Sequence, residues 1–298
     1  GLDTTATGAG WGVGTWGRNG WGQAATTPIV TNTLRIWSHD NFGEDLLINV
    51  RNGGIYYWDK TGGFTTRAVS LDSLSGSTSA PTIAKQIMVS DRDRHIIAFG
   101  CDPEANPGVQ DPLVIRFSSQ ESLTDWATTA ANTAGELRLG SGSEIVSAVE
   151  TRQQILVYTD ESLYAMQFLG PPFTFGVNLV SENITTMGPL SAAAVEDNVF
   201  WMGLKEFYVY GGTVQRLPCS VRDFVFDDFN LLQREKIVAA TNTAFSEIWW
   251  FYPSASSDDN DRYVVYNYEQ KVWYYGSLAR SFWMDRGIFD NPIAAGPN

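Results

Sequence analysis

Histidine and cysteine are nearly missing from this chain, with two of each in 298 residues. With only His39 and His95, a histidine-based catalytic or zinc site has little to draw on. Cys101 and Cys219 stand far apart and show no CxxC spacing, so the sequence carries no redox or zinc motif. Two free, buried thiols are expected, and a single disulfide is left open. No apolar run reaches the ~18 residues of a membrane helix. The chain starts with Gly, and no charged-then-apolar leader follows. Either a leader was removed or the sequence is a fragment. Cations are short too: 20 Lys and Arg face 33 Asp and Glu, a formal charge of −13. Nucleic-acid binders need Lys and Arg to displace phosphate counterions. Tight DNA binding by the average surface is therefore disfavoured. Acidity serves solubility, or makes a wall past which DNA slides without sticking.

Signatures of catalysis are equally scarce. There is no GxSxG elbow, no P-loop and no dinucleotide glycine fingerprint. Asp160 with Glu161, and Asp227 with Asp228, are adjacent acids. On a strand, neighbours point to opposite faces, so neither pair converges on a glycosidic bond. SLTDW (Ser122–Trp126) is only a fragment of the sialidase repeat. A non-enzyme without cofactor, metal or small-molecule substrate is expected. The loop Ser254–Asp261 carries Asp258, Asp259 and Asp261 but lacks the glycine and closing glutamate of an EF-hand. It reads as a solvated loop, with a weak cation or partner contact as its functional alternative. Arg92, Arg94 and His95 read as a solvated basic turn.

What the chain does have is aromatic and β-forming residues. Aromatics make up 13 %, including 11 Trp, enough for a sizeable core. GAGWGVGTWGRNGWGQ (Gly8–Gln23) shows neither helical nor strand period. Its glycines free the backbone and its Trp11, Trp16 and Trp21 offer large apolar faces. Residues 1–33 are expected to form an extended arm that docks on a neighbour or on its own body, with a flexible tail as the plainer alternative. From Leu34 the pattern becomes strand, turn, strand. LLINVRNGGIYYWD (Leu46–Asp59) is a hairpin signature in which Asn-Gly makes the tight turn. Similar runs begin near Gln86, Ile155, Val199 and Glu247, at intervals of mostly about 40 to 50 residues, the length of a propeller blade. The longer interval, from Gln86 to Ile155, holds LVIRF (Leu113–Phe117) and a polar stretch, which reads as an insertion or a degenerate blade. Phe226–Val238 reads as one short helix. EIWWFY (Glu247–Tyr252) is continuously apolar, so both of its faces should be covered. These observations predict an all-β, β-propeller-like body over residues 34–298, with about five to six blades. Trp37–Asp40 and Phe282–Asp285 are the expected meeting point of its ends.

Several stretches together resemble one family. They are Ser118–Val149, Ile155–Gly176, Ala194–Asn230 and Glu247–Ser281, including ILVYTDESLYAMQFLG and EIWWFYPSASSDDNDRYVVYNY. They are similar to the tail nozzle or hub proteins of short-tailed bacteriophages, over roughly Trp37 to Asp285. The resemblance implies a structural virion protein of the phage tail. It implies a propeller body and a homohexameric ring through which the genome exits without tight binding. It also implies contacts with an adaptor ring and other tail proteins. It brings no catalytic residues. The chain is short for such a nozzle. In this setting the Gly/Trp arm is expected to strap neighbouring subunits together. A carbohydrate-binding propeller for receptor recognition is the alternative. The two part on whether Trp249, Trp250 and Trp273 are buried or exposed.

Overall fold

Runs of Val, Ile, Phe, Tyr and Trp pair with their sequence neighbours throughout the body, as half-buried pleated surfaces do. A computed structural model describes residues 34–296. The arm residues Trp11, Trp16 and Trp21 lie outside them. Five sheets each contain four consecutive antiparallel strands. Blade 1 is β1 (Trp37–Phe42), β2 (Asp45–Val50), β3 (Ile55–Trp58) and β4 (Val69–Ser70). Blade 2 is β5 (Gln86–Val89), β6 (Ile96–Phe99), β7 (Val114–Phe117) and β8 (Gly135–Arg138). Blade 3 is β9 (Ile145–Glu150), β10 (Ile155–Thr159), β11 (Ser162–Gly170) and β12 (Thr174–Glu182). Blade 4 is β13 (Ala192–Val195), β14 (Asn198–Met202), β15 (Phe207–Tyr210) and β16 (Val214–Leu217). Blade 5 is β17 (Val238–Asn242), β18 (Glu247–Tyr252), β19 (Arg262–Asn267) and β20 (Val272–Ser277). A sixth sheet has two strands, β21 (Phe282–Met284) and β22 (Ile293–Ala295). The fold is all-β and propeller-like, with five full blades and a partial sixth.

Two local expectations change. Phe226–Val238 is not one helix: α1 (Arg222–Asp227) and a 3-10 turn over Leu231–Lys236 straddle Asn230, and Val238 already belongs to β17. Asn230 breaks the run because its side chain accepts from the Leu232 N–H, starting a new turn. The basic turn is not wholly solvated either. Arg92 and Arg94 are exposed, but His95 is fully buried. The Asn-Gly turn does carry left-handed backbone, at Asn52 (φ 57°). Cys101 is buried and Cys219 half-buried, and both are free thiols.

Adjacent blades meet through apolar cores. Leu47 and Ile55 of blade 1 pack with Ile87, Val89 and Ile96 of blade 2. Phe99 and Phe117 of blade 2 meet Val157, Met166 and Phe175 of blade 3. Leu156 and Tyr158 of blade 3 meet Val199 and Trp201 of blade 4. Phe207 of blade 4 meets Trp250 and Tyr266 of blade 5. EIWWFY is covered on both faces, as expected. Ile248, Trp250 and Tyr252 face blade 4, while Trp249 and Phe251 lie against Trp283 of β21 at 5.6 and 5.8 Å.

His95 sits inside one such core. Its ring contacts Phe117, Phe168 and Phe175 at 5.1 to 6.2 Å. Nδ1–H donates to the Ser118 carbonyl at 2.7 Å, and Nε2 has no partner. Burial holds its pKa below the ordinary 6.5, against the opposing pull of the Ser118 carbonyl and Asp93. In the unfolded chain His95 protonates near 6.5, while the folded chain resists the proton. Stability from this group is therefore complete above 6.5 and falls as pH drops toward the folded value. Urea unfolding from pH 7.5 to 5 should show this loss, and His95→Phe should flatten the acid limb. An unchanged limb in the variant would contradict the assignment.

Candidate functional site at the ring axis

The inner strands of the blades are held side by side by polar side chains that imitate a backbone ladder. Ser38 and Asp40 of β1 accept from the Ile87 and Val89 N–H groups of β5, at 3.1 and 2.8 Å. The Gln86 amide on β5 both donates to and accepts from the Ala148 backbone on β9, at 2.7 and 2.9 Å. Ser147 Oγ–H donates to the Pro189 carbonyl just before β13. The Ala239 N–H of β17 reaches the Leu190 carbonyl at 2.6 Å. Asp285 after β21 accepts from the Thr243 N–H at 2.9 Å. These links align the inner strands and leave an axial cavity of about 720 Å³, lined by Trp37, His39, Lys85, Gln86, Lys236 and Phe282 among others.

Where the inner strands begin, the cavity has a collar of alternating charge. Lys85 pairs with Glu144. Lys236 Nζ donates to the Asp258 carbonyl and pairs with Asp259 at 3.0 Å. The Arg51 guanidinium is pulled below its ordinary pKa by burial, against the raising effect of Glu235 and Glu144. Cations and carboxylates nearly balance here, so this end of the axis is not acidic. At the opposite end stands an acidic group around Glu150. Burial is the main cause that pushes Glu150 up to about 7, with Asp91, Asp40 and Asp93 adding repulsion and the Asp91 N–H bond opposing. A carboxyl at that value holds its proton half the time at neutral pH.

The acidic loop divides between two places. Asp258 and Asp259 reach the axial collar through Lys236. Asp261 turns back to accept from the Ser254 N–H and hydroxyl, at 2.7 and 2.9 Å, and lies 3.8 Å from Arg262. The structure therefore does not bring the three acids to one point. Among the described residues no group of three or more His, Cys, Asp or Glu could hold a metal ion. Trp250 is fully buried, and Trp249 and Trp273 are half-buried in ring stacks. They do not form an open platform. Sequence reasoning missed the collar, because its members come from separate blades.

No family model and no curated protein matches the chain. Solved structures do. The computationally designed Ika8 protein aligns at TM-score 0.50 and 11 % identity, over 87 % of this chain and 67 % of that one. Hsv2 of Kluyveromyces lactis aligns at TM-score 0.43 and 11 % identity, over 81 % of this chain and 62 % of that one. BamB of Moraxella catarrhalis gives 0.43 and 11 %, over 80 % and 60 %. The chain spans about three fifths of the length of the last two. At such identity the likeness is one of fold, and it places this chain among β-propeller-like proteins.

Proposed function

We propose that the chain is a structural subunit of a bacteriophage tail, of the nozzle or hub kind. Copies associate into a closed ring, six-fold by the family resemblance, through which the genome leaves the particle. The observation that carries the assembly part is the outer edge of blade 5. Among the described residues strand β20 has partners on one side only. It exposes Val272, Tyr274 and Tyr275, and Phe224 of the preceding connection lies on Tyr275 at 4.3 Å. A six-residue aromatic edge strand without Lys or Pro invites a partner, which is why free-standing proteins blunt such edges. The resemblance over residues 37–285 supplies the tail assignment. The net charge of −13 suits a wall that must not hold DNA.

On this reading the propeller axis is not the DNA path. The conduit lies between subunits, and neighbouring adaptor and tail proteins seat on the ring. Mass photometry of the full chain should give six times 32.9 kDa at micromolar concentration. Tyr275→Lys should shift the population to monomer while leaving the circular dichroism unchanged. A monomer at every concentration would contradict the ring, and an intact ring in the variant would remove β20 from its interface.

A further inference from the structure

Every face that one blade turns toward the next is covered, except at one place. Blade 1 turns Trp37, Leu46, Ile48, Val50, Tyr56 and Trp58 away from blade 2, a shared face fixed by the pairs Trp37↔Val50, Leu46↔Trp58 and Ile48↔Tyr56. None of the six is buried, and Trp37 is 51 % exposed. Among the described residues none joins an inter-blade core. The partial sixth blade has a matching face. Trp283 points to blade 5, so Phe282, Met284 and Ile293 point the other way, each 43 to 47 % exposed. Among the described residues that sheet has two strands, and β22 has no partner on its outer edge. Trp37 and Phe282 both line the axial cavity, as does Leu34. No strand ladder joins β1 to β21 or β22 among the described residues.

The direction of the chain identifies the missing piece. At all four blade junctions the outer strand of one blade leads into the inner strand of the next: β4 to β5, β8 to β9, β12 to β13 and β16 to β17. By the same rule the chain enters β1 from the side of the blade that precedes blade 1, where Leu34 lines the axial cavity. That blade is the one with only β21 and β22.

We propose that the segment 1–33 of the same chain is what covers the cleft between blade 1 and the partial sixth blade. Trp11, Trp16 and Trp21 then supply the apolar surface that the blade 1 face lacks. The composition fits this placement. Apart from Asp3 and Arg18 the segment carries no charge, and Val13, Ile29 and Val30 add to its apolar content. The arm is tethered at Leu34, inside the cleft, so its effective concentration there is of millimolar order. That favours its own body over a neighbour, in place of the inter-subunit strap expected from the sequence. The inference does not depend on the virion reading.

Hydrogen exchange by mass spectrometry tests it, comparing the full chain, a variant lacking residues 1–25, and Trp16→Gln/Trp21→Gln in the full chain. Peptides covering Leu46–Trp58 and Ile293–Ala295 should exchange at least about tenfold faster in both variants. Blades 3 and 4 should be unchanged. A synthetic peptide of residues 1–33 should restore protection to the deleted variant. The full-chain double variant keeps the test valid if the deletion fails to fold. Equal exchange in the cleft with and without the tryptophans would overturn the proposal. So would protection that appears only at concentrations where copies associate, because a second copy would then be the occupant.

Discussion

Trp250→Ala should destabilise the body by about 3–5 kcal/mol, the range for emptying a buried tryptophan site. A single domain has roughly 5–15 kcal/mol in total, so one substitution consumes much of it. The reason is position. Trp250 is wholly inaccessible, lies 5.0 Å from Phe207 and 5.9 Å from Trp273, and belongs to the core between blades 4 and 5. Its Nε1–H also donates to the Ser191 carbonyl at 3.0 Å, tying β18 to the start of blade 4. Trp250→Phe separates the two contributions. It keeps most of the packing and removes one of two donors from the Ser191 carbonyl, which retains the Met202 N–H, so it should cost only about 0.5–1.5 kcal/mol. Urea unfolding followed by far-UV circular dichroism measures both. A loss below about 1 kcal/mol for the alanine variant would contradict the packing described here.

Arg116→Ala should cost a comparable amount, about 3–5 kcal/mol, for a different reason. Arg116 is a charged residue on a central strand, 2 % exposed. Its guanidinium donates to the carbonyls of Ser79, Trp126 and Asp102, at 2.6, 3.3 and 3.5 Å. It thereby pins the long β7–β8 connection, with its buried Trp126, against the segment before blade 2. Glu136 lies 3.7 Å away but is partly exposed. Carbonyl satisfaction therefore dominates over the ion pair. Glu136→Gln should cost no more than about 1 kcal/mol, and Arg116→Lys should not rescue, since an ammonium cannot reproduce the planar fork. Equal losses for Glu136→Gln and Arg116→Ala would show that the ion pair carries the effect.

Local hairpins were the legible part of this fold. Each of the five runs singled out by alternating β-formers and turn residues is a real antiparallel pair. Their phase was not legible. Four of them are the second and third strands of a blade, but Gln86–Asp102 holds the first and second, β5 and β6. That shift, together with the Ser118–Ala134 connection inside blade 2, explains the long interval from Gln86 to Ile155. The stretch is thus an insertion within a blade, and LVIRF contains its third strand. Periodicity reports which residues alternate, not how many strands precede them. The second face of EIWWFY was anticipated as covered, yet its cover, Trp283, came from a three-residue strand too short to announce itself. The axial collar was illegible for a physical reason: Arg51, Lys85, Glu144, Lys236 and Asp259 are ordinary surface-type residues that only ring geometry brings together. Trp126 shows the reverse case. In SLTDW it looked like part of a motif, and it is a core residue whose Nε1–H meets the Leu123 carbonyl.

Single-particle electron microscopy of the full chain at ring-forming concentration shows directly whether copies close into a conduit. Six-fold rings are expected, with an opening wide enough for duplex DNA and subunit contacts that include β20 of blade 5. Particles that remain single propellers at every concentration, or rings closed at the centre, would contradict the conduit.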